Sequence, residues 1–299
     1  MIEYDGFTKS YGGRPVVNAL TLTVPSGSVV ALLGPNGSGK TTTIKAAAGL
    51  IRPDGGQVRI GTRRLPADDP AARWSCSYLP QHAAFPEGLT GREVVDFYRR
   101  LRNAPPGAAE RVLKFASLNG ASSKPVSTYS GGMVQRLGLA VATLDYPDVL
   151  LLDEPTAALD PDGLCAFYGL VEERRKGGGA IFFSSHQLGD IERLADRVAV
   201  MVNGTLLAEF TERELAMKLA DRGLMRVRLA MRVSGLLERV RSRSPKALWF
   251  GDELIVPGGA SDRPAILDVI RAGGGEITGL TAEEGRLDHF YRELIGAAA

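Results

Sequence analysis

Cysteine, histidine and tryptophan are scarce in this sequence: two, three and two in 299 residues. Cys76 and Cys165 stand apart from any Cys/His ligand spacing and from the density of a disulfide framework. They read most simply as small apolar residues. Long apolar runs are missing too. None approaches the ~18 residues of a spanning helix, so the chain is not expected to cross a membrane by itself. The opening Met1-Ile2-Glu3-Tyr4-Asp5 has neither the basic nor the apolar region of a signal peptide, and a reducing, cytoplasmic setting is expected. Charge of one sign is also absent, since 36 Lys and Arg are interleaved with 34 Asp and Glu for a net +2. Bulk electrostatics therefore give no case for nucleic-acid binding. With 44% hydrophobic and 23% charged residues, the chain is expected to form one large globular domain or two unequal ones.

Glycine is abundant, 36 residues, and it is placed rather than scattered. The run from Ser28 to Leu33 is apolar on both faces and ends at Gly34, the pattern of a strand inside a parallel sheet. A glycine-rich loop follows, and then a helix-forming stretch from Lys40 to Leu50. Similar strands are predicted at Asp148 to Leu152, Ala180 to Phe183 and Arg197 to Val202, with helix-length segments at Leu164 to Arg175 and Leu188 to Ala195. This is the β/α alternation of a parallel sheet. Tyr4 to Val30 and Gln57 to Ile60 read instead as short strands of an antiparallel piece. Thr90 to Ala142 reads as mostly helical. Gly177-Gly178-Gly179 and Gly273-Gly274-Gly275 read as loop glycines after helices.

Two segments carry chemistry. Gly34-Pro35-Asn36-Gly37-Ser38-Gly39-Lys40-Thr41 fits G-x-x-x-x-G-K-[ST]. Its glycines let backbone N–H groups converge on phosphate oxygens, and the following helix turns its positive end to the same anion. Lys40 supplies a mobile charge for the β- and γ-phosphates, and the Thr41 hydroxyl is a hard ligand for Mg²⁺. The second segment is the apolar strand that delivers Asp153 and Glu154. One carboxylate can join the Mg²⁺ shell while the next orients a water for attack on the γ-phosphate.

Ser130-Gly131-Gly132 with Gln135-Arg136, upstream of Asp153-Glu154-Pro155-Thr156, resembles the signature sequence and second nucleotide motif of ATP-binding-cassette (ABC) ATPases. The resemblance spans about Ile2 to Leu215. It implies an α/β P-loop NTPase of ABC type: a mainly parallel sheet, an antiparallel β piece and a helical subdomain. It also implies ATP and Mg²⁺ as cofactors. Tyr11 resembles the aromatic that stacks on adenine, and Gln81 the Q-loop glutamine that serves Mg²⁺ and coupling. Asp160 resembles the D-loop aspartate, and His186 the switch histidine that contacts the γ-phosphate. By the same resemblance, the P-loop from Gly34 through Thr42, together with Ser130, Gly131 and Gly132, holds nucleotide. Thr41, Gln81 and Asp153 serve the metal; Lys40, Glu154 and His186 serve catalysis. The signature departs from its commonest form, with Tyr129 for Leu and Met133 for Gln, as in exporter-type members. His82 and His289 receive no role.

Only one copy of each motif is present, so the resemblance implies a homodimer acting with separate transmembrane permease subunits. These would dock on helices around Gln81 to Arg102, with the chain peripheral to the cytoplasmic face of the membrane. The alternative is an ABC-type ATPase working on nucleic acid or the ribosome. It is disfavoured by the single P-loop, the balanced charge and the lack of a sustained heptad stretch. The division expected is an ATP-binding domain over residues 1–222 and a small α+β domain over 223–299, whose predicted elements follow the ferredoxin-like order βαββαβ. That tail resembles the extension of exporter-like ATPase subunits, including the one serving copper-site maturation of nitrous oxide reductase. Nothing in it resembles a metal site.

Overall fold

A computed structural model describes residues 1–118 and 120–298 and resolves two compact units, Met1–Phe210 and Thr211 onward. In chain order the strands of the first unit are β1 (Ile2–Tyr11), β2 (Arg14–Val24), β3 (Val29–Leu33), β4 (Gly55–Ile60), β5 (Leu65–Pro66), β6 (Cys76–Leu79), β7 (Val149–Asp153), β8 (Ala180–Ser185), β9 (Arg197–Val202) and β10 (Thr205–Thr211). Its helices are α1 (Lys40–Ala47), α2 (Gly91–Leu101), α3 (Ala108–Phe115), α4 (Gly131–Ala142), α5 (Pro161–Lys176) and α6 (Leu188–Leu194).

The strands form two sheets. One is antiparallel, in the order β2-β1-β4-β5; β1 and β2 are longer than the short strands expected, ten and eleven residues. The other has the order β10-β9-β3-β8-β7-β6, in which β9, β3, β8, β7 and β6 run parallel. Every residue of β3, β7 and β8 is buried, which explains the apolar runs Val29 to Leu33, Val149 to Leu152 and Ala180 to Phe183. The core between the sheets gathers Tyr4, Phe7 and Phe182, with Tyr4 ring centroids 5.9 and 6.0 Å from the other two. The Tyr4 hydroxyl, buried in this apolar setting, donates to the Thr43 carbonyl at 2.8 Å. Helix α1 is thereby tied to the core just beyond the P-loop.

Helices α2, α3 and α4 bury a separate apolar cluster that includes Val94, Val112, Leu113 and Leu137. Their start points follow capping chemistry. The Thr90 hydroxyl accepts from the Glu93 amide while the Glu93 carboxylate accepts from the Thr90 amide; Ser130 caps α4 and Asp160 caps α5.

The second unit begins with α7 (Glu212–Ala220), whose capping box is formed by Thr211 and Glu214. The division thus falls at Phe210/Thr211 and not at 222/223, because Gly223 precedes a strand rather than a domain. There follow β11 (Leu224–Leu229), α8 (Leu236–Arg241), β12 (Leu248–Phe250), β13 (Glu253–Pro257), α9 (Arg263–Ala272), β14 (Ile277–Glu283) and α10 (Leu287–Ala298). The sheet order is β12-β13-β11-β14, antiparallel throughout. Gly251, the first residue of the two-residue turn between β12 and β13, has φ +60°, which accounts for glycine preceding Asp252. Helices α5 and α9 end alike. Gly178 and Gly274 take positive φ, and the amides of Gly179 and Gly275 reach back to the Arg174 and Ile270 carbonyls.

Candidate nucleotide site

The loop from Gly34 to Gly39 leaves the end of β3 and enters α1. Gly34 is fixed by space: a Cβ there would lie 2.2 Å from the Met201 carbonyl oxygen and 2.6 Å from Ser38 Oγ. Gly39 is fixed twice over, by φ +100° and by the Val16 carbonyl oxygen 2.7 Å from where its Cβ would be. Lys40 follows, nearly buried, and its ammonium donates to the Gly34 and Pro35 carbonyls at 2.8 and 3.1 Å. Burial holds its pKa below the usual lysine value, against the opposing pull of Glu154 and Asp153.

Beside this loop is a cleft of about 350 Å³. Asn36, Gly37, Gly39 and Lys40 form its floor, and Thr41 and Thr42 of the first α1 turn extend it. Gln81, after β6, and Glu154, after β7, face them, and Val16 of β2 completes the wall.

The carboxylates come from the end of β7. Asp153 is 1% exposed, and its Oδ1 accepts the Ser184 hydroxyl at 2.6 Å. Its Oδ2 is buried with no hydrogen-bond partner among the described residues. Ser184 Oγ also accepts the Glu154 amide at 3.0 Å, so one hydroxyl sets both acids. Glu154 takes φ +47°, a turn that swings its side chain off the strand line. Its Oε2 accepts Gln81 Nε2 at 3.0 Å and lies 3.2 Å from His186 Nδ1.

The donor set fits a hard divalent cation. A buried carboxylate oxygen without a partner is costly unless something positive meets it. The Thr41 hydroxyl and the Gln81 side chain line the adjoining cleft, and Gln81 spends its amide nitrogen on Glu154, leaving its oxygen for a cation. Among the described residues no three His, Cys, Asp or Glu side chains cluster as a metal cage. A cation here would take its remaining ligands from phosphate and water, as Mg²⁺ does.

Other residues singled out from the sequence lie outside the cleft wall. Tyr11, at the end of β1, is 49% exposed with the Lys9 ammonium 5.5 Å from its ring centroid. Ser130 and Gly131 are exposed at the start of α4, and a Cβ on Gly132 would meet the Ala158 carbonyl oxygen at 2.8 Å. Asp160 accepts from the Gly163 amide at 2.9 Å and pairs with Arg136 at 3.6 Å. Sequence reasoning gave no role to Val16 or Ser184, while Gln135, read there with the signature, donates its amide to the Pro155 carbonyl at 3.4 Å.

Residues 17–157 match the family model described as ABC transporter. The chain is 38% identical to the daunorubicin/doxorubicin resistance ATP-binding protein of Streptomyces peucetius, over 76% of this chain and 70% of that protein. The chain belongs to the ABC transporter ATP-binding proteins. It is also 32% identical to a daunorubicin resistance ATP-binding protein of Streptomyces coeruleorubidus, over 99% of this cassette chain and 96% of that one. A solved structure of an ATP-binding subunit of an ABC transporter superposes with TM-score 0.68 at 30% identity, covering 73% of this chain and 92% of that one. The cassette therefore binds and hydrolyses ATP as a transporter subunit, and none of its described helices is long and apolar enough to cross a membrane.

Proposed function

We propose that the cassette works as half of a homodimer, each ATP lying between the P-loop of one copy and Ser130, Gly131 and Gly132 of the other. The convergence of Gln81 and His186 on a single oxygen of Glu154, at the edge of the P-loop cleft, carries the hydrolytic part of this assignment. The P-loop amides and Lys40 hold the phosphates, and Lys40 exchanges the Gly34 and Pro35 carbonyls for phosphate oxygens. Tyr11 stacks on the adenine. Glu154 polarises the attacking water, accepting its proton as the water oxygen bonds to the γ-phosphorus and the bond from that phosphorus to the β–γ bridging oxygen breaks, releasing ADP and phosphate. His186 contacts the γ-phosphate, and Asp160 orders the start of α5 beside the facing copy. Mg²⁺, when bound, neutralises charge on the β- and γ-phosphates, with Thr41, Asp153 and Gln81 as its protein ligands, directly or through water.

Exposure of Ser130 and Gly131 supports the second half of the site. They start a helix of twelve residues, whose N-terminal amides attract anions. Transport is driven through separate permease subunits, with the cassette peripheral to the cytoplasmic face of the membrane. Their contact is assigned to α2, where Phe97 and Leu101, 58% and 56% exposed, border a groove with Glu93 and Arg100. Relatives named for drug resistance, bacitracin transport and Nod factor export favour export as its direction. No residue assigned to nucleotide lies in the C-terminal unit, which is an accessory domain.

The test is Glu154→Gln, with ATP turnover and dimer mass measured together. Turnover should vanish while ATP stays bound and the dimer closed; undiminished steady-state hydrolysis would remove Glu154 from its role.

A further inference from the structure

Asp190 lies in the first turn of α6, four residues after His186, and is 3% exposed. Its Oδ2 accepts the Thr156 hydroxyl at 2.5 Å, and its Oδ1 accepts the Tyr168 hydroxyl at 2.8 Å. Thr156 is itself buried and stands two residues beyond Glu154; Tyr168 belongs to α5. Three segments therefore meet on one carboxylate: the turn that carries Glu154, the helix that follows it, and the helix that follows His186.

The choice of a carboxylate matters. An ionised Asp can only accept, so both hydroxyls must donate to it and the Thr156 rotor is fixed. An amide offers one acceptor oxygen and would set one hydroxyl against an N–H donor. Tyr168 is kept a donor as well, because burial and the Asp190 carboxylate push its phenol up to about 12. Burying a carboxylate among neutral donors is costly unless its hydrogen bonds are satisfied, and here each oxygen has one.

The position of this bond gives it a task. Glu154 and His186 stand on loops that leave neighbouring parallel strands, β7 and β8. At the sheet, Ser184 joins the loops through its bonds to Asp153 and the Glu154 amide. Farther along both loops, Thr156 and Asp190 join them again. The 3.2 Å contact between Glu154 and His186 lies between these two ties.

We propose that Asp190 is a positioning residue for ATP hydrolysis, holding Thr156 so that Glu154 and His186 keep their spacing. It is buried away from the residues that line the cleft and acts through the turn from Glu154 to Thr156. The inference rests on the roles given above to Glu154 and His186. The bond to Tyr168 supplies an internal control, since it joins α6 to α5 and leaves the tie to the Glu154 turn intact.

The experiment compares Asp190→Asn, Thr156→Val, their double variant and Tyr168→Phe in the full chain, measuring kcat and KM for ATP hydrolysis and the Kd for ATP. Asp190→Asn and Thr156→Val should each lower kcat roughly 10- to 100-fold, the scale of a small misplacement at a reacting centre, with the Kd for ATP little changed. The double variant should be no slower than the worse single, because both remove one bond. Tyr168→Phe should retain its kcat. Full turnover in Thr156→Val, multiplying losses in the double variant, or a fall in Tyr168→Phe equal to that in Thr156→Val would overturn the proposal. If Asp190→Asn does not fold, Thr156→Val against Tyr168→Phe decides alone. Glu154→Gln run alongside separates the two levels. Active Glu154→Gln defeats the underlying assignment, whereas inactive Glu154→Gln with fully active Thr156→Val defeats only this one.

Discussion

Ser184 and Asp153 form a buried pair in which the serine hydroxyl, 2.6 Å from one carboxylate oxygen, leaves the other oxygen without a hydrogen-bond partner among the described residues. The same hydroxyl accepts the Glu154 amide, so its proton has one direction to point. Ser184 thus orients the carboxylate proposed above as a Mg²⁺ ligand, and loss of such an outer partner typically costs tenfold or more.

Ser184→Ala should therefore lower turnover roughly 10- to 100-fold and raise the Mg²⁺ concentration needed for half-maximal hydrolysis. A Mg²⁺ titration of ATPase activity checks this. An unchanged half-saturation point would mean that Asp153 is oriented by the strand alone.

The two cysteines should separate by reactivity. Cys76 is buried, and burial pushes its thiol from 9.0 up to about 11, whereas Cys165 is exposed on α5. Alkylation at pH 8 followed by peptide mass analysis should label Cys165 and spare Cys76. The shift also has a stability consequence. Between about pH 9 and 11 the unfolded chain releases the Cys76 proton and the folded chain keeps it, so folding stability falls as pH rises through that window. Comparison of alkaline unfolding with Cys76→Ala isolates this contribution.

Lys40 gives the opposite sign. Its folded pKa lies below 10.5, so between the two values the unfolded chain holds more protons and Lys40's contribution to stability rises with pH. The phosphates of ATP favour the ammonium form, and binding in that window should draw protons from solution. Calorimetry in two buffers of different ionisation enthalpy should record this uptake, and Lys40→Met should abolish it.

Much of this was legible because burial writes itself into residue type. Val29 to Leu33 and Val149 to Leu152 are buried on both faces and read as strands from their unbroken apolar runs. Strand β6 gave no such signal: only Cys76 and Leu79 of its four residues are buried, at the edge of the sheet. The unit boundary was misplaced because Asp221-Arg222-Gly223 looks like a linker, whereas the capping box of Thr211 and Glu214 already starts the second unit. Within the site, the P-loop glycines were readable because space and φ at Gly34 and Gly39 admit nothing larger. Ser184 and Asp190 were not. A serine ending an apolar strand and an aspartate in a helical turn are ordinary alone, and only the parallel pairing of β7 with β8 brings them beside Asp153 and Thr156.

Strand β3 is paired with β8 on one side and β9 on the other, and all five of its residues are buried. Amides in such a strand are released only when most of the unit opens. Hydrogen exchange should find β3 and β8 among the slowest segments and the edge strands β6 and β10 among the faster ones. The loop that closes on phosphate is thus anchored in the part of the unit that opens last, and substitutions that loosen the edges can leave the P-loop geometry untouched.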